Sequence, residues 1–414
     1  MRAEDKRKVM QFLEANKEEM LEFLIRTIQT PSLSCHEGEV ARLYASKMQE
    51  LGYDEVEIDG IGNVLGWVKA TEPCYEKCLL FNGHMDHVPP GKMVDPYAGL
   101  IIDAGRYGEE GQAVYGRGAS DMKGALAAMV FAAGAIKAAG IKLKRDLLVT
   151  PVVLEEMRGQ LGTKYLIEND NLKVEYTIVG EASNLDIALG HRGIIEHIIT
   201  TSGKSAHASQ PEHGVNAFYK MMDILTAVRL NIIPKLPADE LFGKTTMTIN
   251  TCQVSPGVSN VIPDSCTVTI DTRNIPSFTA PELTARLRAE IEKLKLNDPE
   301  LEYEISCSNV ELTSYTGLRA SSENQLYPFY TSPEQPLVKK LQEIISMVRG
   351  RRPQLRIWKF ATDGGYLSTK AGIVTVGFGP GDERYAHTAD DHILVADVFT
   401  AARVYALIAL EMCT

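Results

Sequence analysis

The sequence predicts an α/β protein: a mixed, largely parallel sheet with helices on both faces, interrupted by an inserted α+β module. Three observations lead there. Short apolar runs alternate with helical patterns over residues 1–189, and the same texture returns over 309–414. Between them, residues 190–308 carry strands with one-sided alternation and segregated helices. The chemically loaded residues mostly follow the apolar runs, where open α/β sheets place their sites.

The elements follow in order. Met10, Leu13, Leu21, Leu24, Ile25 and Ile28 recur at helical spacing, and Thr30-Pro31-Ser32 ends that pattern. A second helix runs from about Gly38 to Leu51, with Gly52 as its stop. Val64–Val68 and Cys78–Phe81 are apolar runs bounded by glycine or polar residues, as buried strands are. Gly124–Gly140 reads as a helix of small residues, and Asp146–Leu154 and Tyr176–Val179 as further buried strands. Within the insertion, Gly193–Thr200, Thr245–Cys252 and Cys266–Asp271 alternate as a half-covered sheet does, with helices at Val215–Val228 and Ala280–Leu294. Ile373–Gly377 and Val395–Glu411 return to strand and helix of the first kind.

Composition limits the partners. The 414 residues suffice for two domains, and 44% are hydrophobic. A net charge of −11 argues against nucleic acid or an anionic membrane as the main partner. The seven cysteines are odd in number and scattered, which does not make a disulfide framework. Cys74 and Cys78 lack a second Cys or His pair at finger spacing. The first twenty residues are charged throughout and have no secretory core. Ala125–Ile136, the most apolar stretch, is shorter than the roughly 18–20 residues of a membrane span. A cytoplasmic protein without membrane association is the expectation.

Five groups carry candidate chemistry. His84 and Asp86 sit at the edge of the Cys78–Phe81 run, two residues apart and so on one face of an extended segment. His84 can bind metal through one nitrogen while Asp86 orients the ring; the alternative is a loop histidine beside an ordinary carboxylate. Asp121 lies among small residues before a helix, where it can bridge two metals or simply cap the helix. Glu155 and Glu156 leave a strongly apolar strand together, a costly arrangement unless a cation compensates, or else they lie in a solvated loop. Glu181 and His387 each follow an apolar run. Two histidines with carboxylates suit zinc, cobalt or manganese rather than a metal selected by thiolates. A two-metal site of that kind activates water by lowering its pKa toward roughly 7.

Taken together, G-H-M-D-H-V-P-P-G, G-R-G-A-S-D-M-K-G, E-E followed by G-T, G-E-A and F-G-P-G…H resemble the M20 metallopeptidase family, which includes acetylornithine deacetylase and succinyl-diaminopimelate desuccinylase. The resemblance runs from about Met20 to His392. It implies that His84, Asp121 and Glu181 hold one metal and that Asp121, Glu156 and His387 hold the other. Glu155 becomes the general base and acid, Asp86 the orienting residue, and the Asp121–Met122 peptide is expected to be cis.

The resemblance also implies a homodimer in which His207, within G-K-S-A-H-A-S, reaches the neighbouring subunit's active site. Asn260 and Arg273 look like contacts to a substrate carboxylate, although Arg273 fits a structural salt bridge nearly as well. Ala361–Gly365, with Gly364 and Gly365, resembles the family's substrate-binding turn. Two positions depart from the pattern: Leu154 replaces an aspartate and Ala182 a proline, and neither removes a ligand. Ser314–Gly317 and A-T-D-G-G resemble the selenium-metabolism-linked subgroup. The implied activity is cleavage of an amide bond in a small, carboxylate-bearing molecule by a di-metal hydrolase, zinc being the expected metal. The alternatives are a ureido or carbamoyl amidohydrolase on the same scaffold and a non-catalytic binding relative.

Overall fold

A computed structural model describes residues 2–414. Four apolar runs, Leu147–Val152, Cys78–His84, Val174–Val179 and Val374–Gly377, lie side by side as parallel strands. Every residue of the first two is buried, as a parallel sheet covered on both faces requires. Alternate side chains point to opposite faces. Leu79, Phe81, Leu147 and Val149 join the larger core, whereas Cys78, Leu80, Leu148 and Val152 pack into the smaller core opposite. Val64–Val68 and Glu55–Ile58 extend the sheet antiparallel at one edge. Ile187–His191 extends it at the other, flanked by Phe329–Tyr330 and by the parallel strand Leu355–Trp358. The nine-stranded sheet is therefore mixed, with a parallel centre.

The larger core is closed by Gly124–Ala138 and Val395–Cys413, which pack on each other, together with the N-terminal helices and Pro336–Arg349. The helix Leu161–Glu168 covers the other face through Leu166. With the turn before it, Ala119–Ala138 is 20 residues and apolar enough to cross a membrane by length and composition, so the segment is longer than Ala125–Ile136 suggested. Within the fold 94% of its most apolar window is buried, and its apolarity serves the core.

A second, wholly antiparallel sheet is built in the order Thr246–Ser255, Ser265–Asn274, Gly193–Ser202, Glu302–Cys307. Gln325–Leu326 also pairs with Gly193–Ser202, so the sheet draws on residues past 308. The helices Ala217–Ala227 and Ala280–Lys295 cover one face and share a separate core with it, including Ile195, Met221, Ile270 and Leu287. The outer strand Thr246–Ser255 stays largely exposed.

A three-stranded sheet of Leu100–Asp103, Gln112–Tyr115 and His392–Leu394 was not legible in the sequence. Its strands are three or four residues long, too short to show a period. It pairs His392 with Tyr115 and so brings the segment after His387 beside the loop that carries Asp121.

Candidate metal centre

Register places the site. His84 is the last residue of its strand and stands opposite Val152; Asn82 stands opposite Val179, and Val179 opposite Gly377. The segments bearing Asp86, Glu155–Glu156, Glu181 and His387 therefore leave the sheet at one edge. Asp121 enters from the irregular turn Ala119–Lys123 ahead of Gly124–Ala138. The room for that turn comes from glycine. A Cβ on Gly83 or Gly180 would stand 2.2 or 2.6 Å from Met122 Cε.

The cluster is joined through Asp121. Its Oδ1 lies 2.9 Å from His84 Nε2 and its Oδ2 lies 3.1 Å from His387 Nε2. Glu181 comes within 3.4 Å of His84 Nε2, and Glu156 within 3.0 Å of His387 Nε2. These contacts join His84 to Asp121 and Glu181, and His387 to Asp121 and Glu156. Compactness alone groups the donors differently: His84 with Asp121 and Glu156, and His84 with Glu155 and Glu181. The direct histidine–carboxylate contacts are the better guide, because they give each imidazole its own oxygen of Asp121. Asp121 has a non-helical backbone inside that turn, and its peptide to Met122 is cis. A cavity of about 220 Å³ opens over the cluster, lined by Asp121, Glu155, Glu156, Glu181, Phe360 and His387, among others.

Asp86 orients His84 in an unexpected way. Its backbone carbonyl, 2.9 Å from Nδ1, holds the ring, while its carboxylate stays 3.7 Å away. The carboxylate instead accepts the N–H groups of Glu155 and Glu156, both at 3.2 Å, and the Ser34 hydroxyl at 2.6 Å. Asp86 thus aims the glutamate pair as well as the histidine. Leu154, just before that pair, and His387 both have left-handed backbones, with φ of 63° and 61°, a conformation uncommon outside glycine.

The electrostatics fit a cation site. Burial raises the Asp121 carboxyl, but hydrogen bonds to His387 and His84 outweigh it and hold the group well below the usual range. Burial opposes charge on His84, yet Glu181 and Asp121 raise it well above its ordinary value. Hydrogen bonds to Asp121 and Glu156 raise His387 to about 10. Burial, followed by His84 and Glu181 acting in opposite senses, leaves Glu155 raised well above its ordinary value. Burial and Asp121 raise Glu181 to about 7. Four carboxyl groups stand around two imidazoles, and these oxygen and nitrogen donors suit a borderline divalent metal.

Sequence reasoning missed the groups that brace this cluster. Asp391 is fully buried and binds Arg117 and the N–H groups of Gly118 and Ser120. Lys123, also fully buried, donates to the Thr27 and Thr30 carbonyls and ties the Asp121 turn to the N-terminal helix. A signal was present: an arginine and a lysine inside G-R-G-A-S-D-M-K-G, and paired aspartates after His387.

The remaining expected contacts lie elsewhere within one chain. His207, Asn260 and Arg273 do not line the cavity. His207 is exposed and bonded to Ser209, beside the Asn260 carbonyl that accepts from Ala208. Arg273 is held by Asp271 on its own strand, at 2.8 Å, so the salt-bridge reading describes it in this structure. Ala361 lines the cavity, but Gly364 and Gly365 are buried against Phe329 and Tyr327. Cys74 is exposed, Cys78 is buried in its strand, and neither joins a three-donor group among the described residues.

A mixed α/β sheet with a histidine–carboxylate cluster beyond its parallel strands defines a metal-dependent hydrolase. The chain belongs to peptidase family M20/M25/M40, whose family model matches residues 80–411. It is 32% identical over 397 residues to the uncharacterized protein YgeY of Escherichia coli, covering 95% of this chain and 94% of that one. It is 26% identical over 400 residues to succinyl-diaminopimelate desuccinylase 2 of Ruegeria sp., covering 91% of each. The crystal structure of the Bacillus subtilis YXEP protein, a dinuclear metal binding peptidase of the M20 family, shares the fold with a TM-score of 0.70 at 13% identity, over 96% of this chain and 99% of that one.

Proposed function

We propose that this hydrolase binds two divalent metals, zinc as the native pair, and cleaves an amide bond in a small carboxylate-bearing substrate such as an N-acyl amino acid or a dipeptide. The observation that carries the reading is Asp121, whose two oxygens each meet a different histidine. On this reading His84, Asp121 and Glu181 hold one metal, and Asp121, Glu156 and His387 the other. When bound, the metals supply Lewis acidity that makes water nucleophilic near neutral pH and polarises a carbonyl.

The chain supplies the proton chemistry. Glu155 takes the proton of the attacking water and passes it to the leaving amine, a role suited to a buried carboxyl raised above its ordinary pKa. Asp86 keeps Glu155 and Glu156 diverging from one backbone anchor. The named activity of the Ruegeria relative, a desuccinylase, supports an acyl-amide substrate.

A homodimer completes the site in this reading. The outer strand Thr246–Ser255 leaves an unpaired edge, and Tyr219, Met222 and Ile249 are exposed on the same module. His207 then crosses to the partner subunit and donates a hydrogen bond to the developing oxyanion, with Asn260 beside it. The free cysteines suit a reducing cytoplasm.

The test combines metal analysis with a substrate panel of N-acetyl, N-succinyl and N-carbamoyl amino acids and dipeptides. About two metals per chain, chelator-sensitive activity and preference for a free carboxylate are expected. Full activity without metal ends the reading, and preference for carbamoyl substrates replaces its acyl assignment.

A further inference from the structure

A cavity of about 720 Å³ lies away from the metal centre, within the usual size range for small-molecule sites. Its lining combines residues of the second sheet, among them Asn274, Cys307 and Gln325, the start of the helix Ala280–Lys295, and Tyr327, Pro328, Thr369 and Lys370. It therefore straddles the junction between the two sheets.

Three features of the lining describe an occupant. Gln325 is 7% exposed and lines the cavity, and its side chain makes no hydrogen bond among the described residues, so its amide is free to meet an occupant. Arg288 and Lys370 stand at the cavity without a carboxylate partner among the described residues; Lys370 lies 4.6 Å from the centre of the Tyr327 ring. Thr279, Ala280 and Pro281, at the amino end of a 16-residue helix, add the positive end of its dipole. Against these stands one carboxylate, Glu323, in a chain whose net charge is −11. Pro276, Ala285, Pro328 and the Tyr327 ring add apolar surface, beside the polar Asn274, Thr284 and Thr369.

We propose that this cavity binds a small organic carboxylate with an apolar body. The carboxylate meets Arg288, Lys370 and the helix end. The apolar body lies against Tyr327 and the prolines, and Gln325 pairs with a polar substituent or the second carboxylate oxygen. The site is separate from the metal centre, and the two cavities share no lining residue. It does not depend on the substrate proposed above.

The probe is 4-fluorophenylacetate, followed by fluorine NMR line broadening on the full chain. Saturable binding is expected, with its Kd raised at least about tenfold by the double variant Arg288→Glu, Lys370→Glu and about threefold by Gln325→Leu. The neutral 4-fluorophenylacetamide should bind at least about tenfold more weakly than the acid. Glu155→Gln should leave the Kd unchanged, which separates this site from the catalytic cavity. Arg288 and Lys370 are exposed, so circular dichroism should show the double variant folded. Absence of saturable binding up to about 10 mM, or an affinity indifferent to the charge reversals, overturns the proposal.

Discussion

Asp391 and Arg117 form a buried pair that spans the two halves of the metal centre. Asp391 Oδ2 accepts from Arg117 Nη1 at 3.0 Å and from the Gly118 N–H at 2.7 Å, and Oδ1 accepts from the Ser120 N–H at 2.9 Å. Arg117 Nη2 reaches the carbonyl of Thr388, next to His387, at 2.9 Å. One ion pair thereby holds the Asp121 loop against the His387 loop.

Asp391→Ala should be among the most destabilising single changes in the protein. It leaves a guanidinium buried without a counter-charge, and breaking such a pair costs about 3–5 kcal/mol. Urea unfolding of the metal-free chain measures it. The double variant Asp391→Ala, Arg117→Met should recover part of the loss, since the stranded charge goes too. Additive losses would mean that the pair is not coupled.

Glu155→Gln and Glu156→Gln should fail differently. The amide at 155 cannot accept a proton, so kcat should fall by about 10²–10⁴ while the metal content stays near wild type. Glu156 meets His387 at 3.0 Å, so its change should show first as a weakened metal site. Near-normal kcat in Glu155→Gln removes that residue from proton transfer.

Much of this centre was legible because strands ending in ligands are visible in one dimension. The strands Cys78–His84 and Leu147–Val152 open on the apolar stretches 78–81 and 147–149, and the polar residues at and past their ends mark the sheet's edge. The bracing groups were not legible, because their partners are remote in sequence: Asp391 lies 274 positions from Arg117. Asp86 shows a subtler limit. Its spacing from His84 placed both on one face, but only coordinates reveal that its carbonyl holds the ring and its carboxylate the glutamates. The two readings of Arg273 could not be separated in sequence, since Asp271, two residues away, is as good a partner as any substrate.

Metal uptake should release protons. In the metal-free chain the carboxylates raise His387 to about 10 and His84 well above its ordinary value, so both rings are protonated at neutral pH. Metal binds only the neutral ring. Affinity should therefore climb as pH rises from about 6 to 8, and calorimetry in buffers of different ionisation enthalpy should show net proton release. Buffer-independent heats would contradict the protonation states.

Glu37 should behave as a neutral acid. It is fully buried, and Oε1 accepts the Leu154 N–H at 3.2 Å, just before Glu155 and Glu156. Burial and the nearby Asp86 push it to about 8. A folded pKa above the unfolded one means that the native state holds the extra proton between about 4.5 and 8, so stability drains as pH rises through that window. Glu37→Gln keeps an acceptor for Leu154 and cannot ionise. Its stability relative to wild type should improve across the same range, whereas Glu37→Ala should be destabilised throughout. A wild type and Glu37→Gln that track each other with pH would show that Glu37 does not hold that proton.

The dimer proposal has a quantitative test. Glu155→Gln and His207→Ala chains should each be nearly inactive alone. Refolded together, a mixed dimer has one site with an intact Glu155 facing an intact His207 from the partner subunit, while its other site carries both lesions. Random pairing makes about half the dimers mixed, each with one good site of two, so about a quarter of wild-type activity should return. The side chain of His207 is exposed and bonded to its neighbour Ser209, so replacing it should leave the chain's own fold intact. Any loss on His207→Ala then reports on a site beyond its own chain's packing. Mixed dimers verified by mass but lacking activity would show that His207 serves its own chain or none.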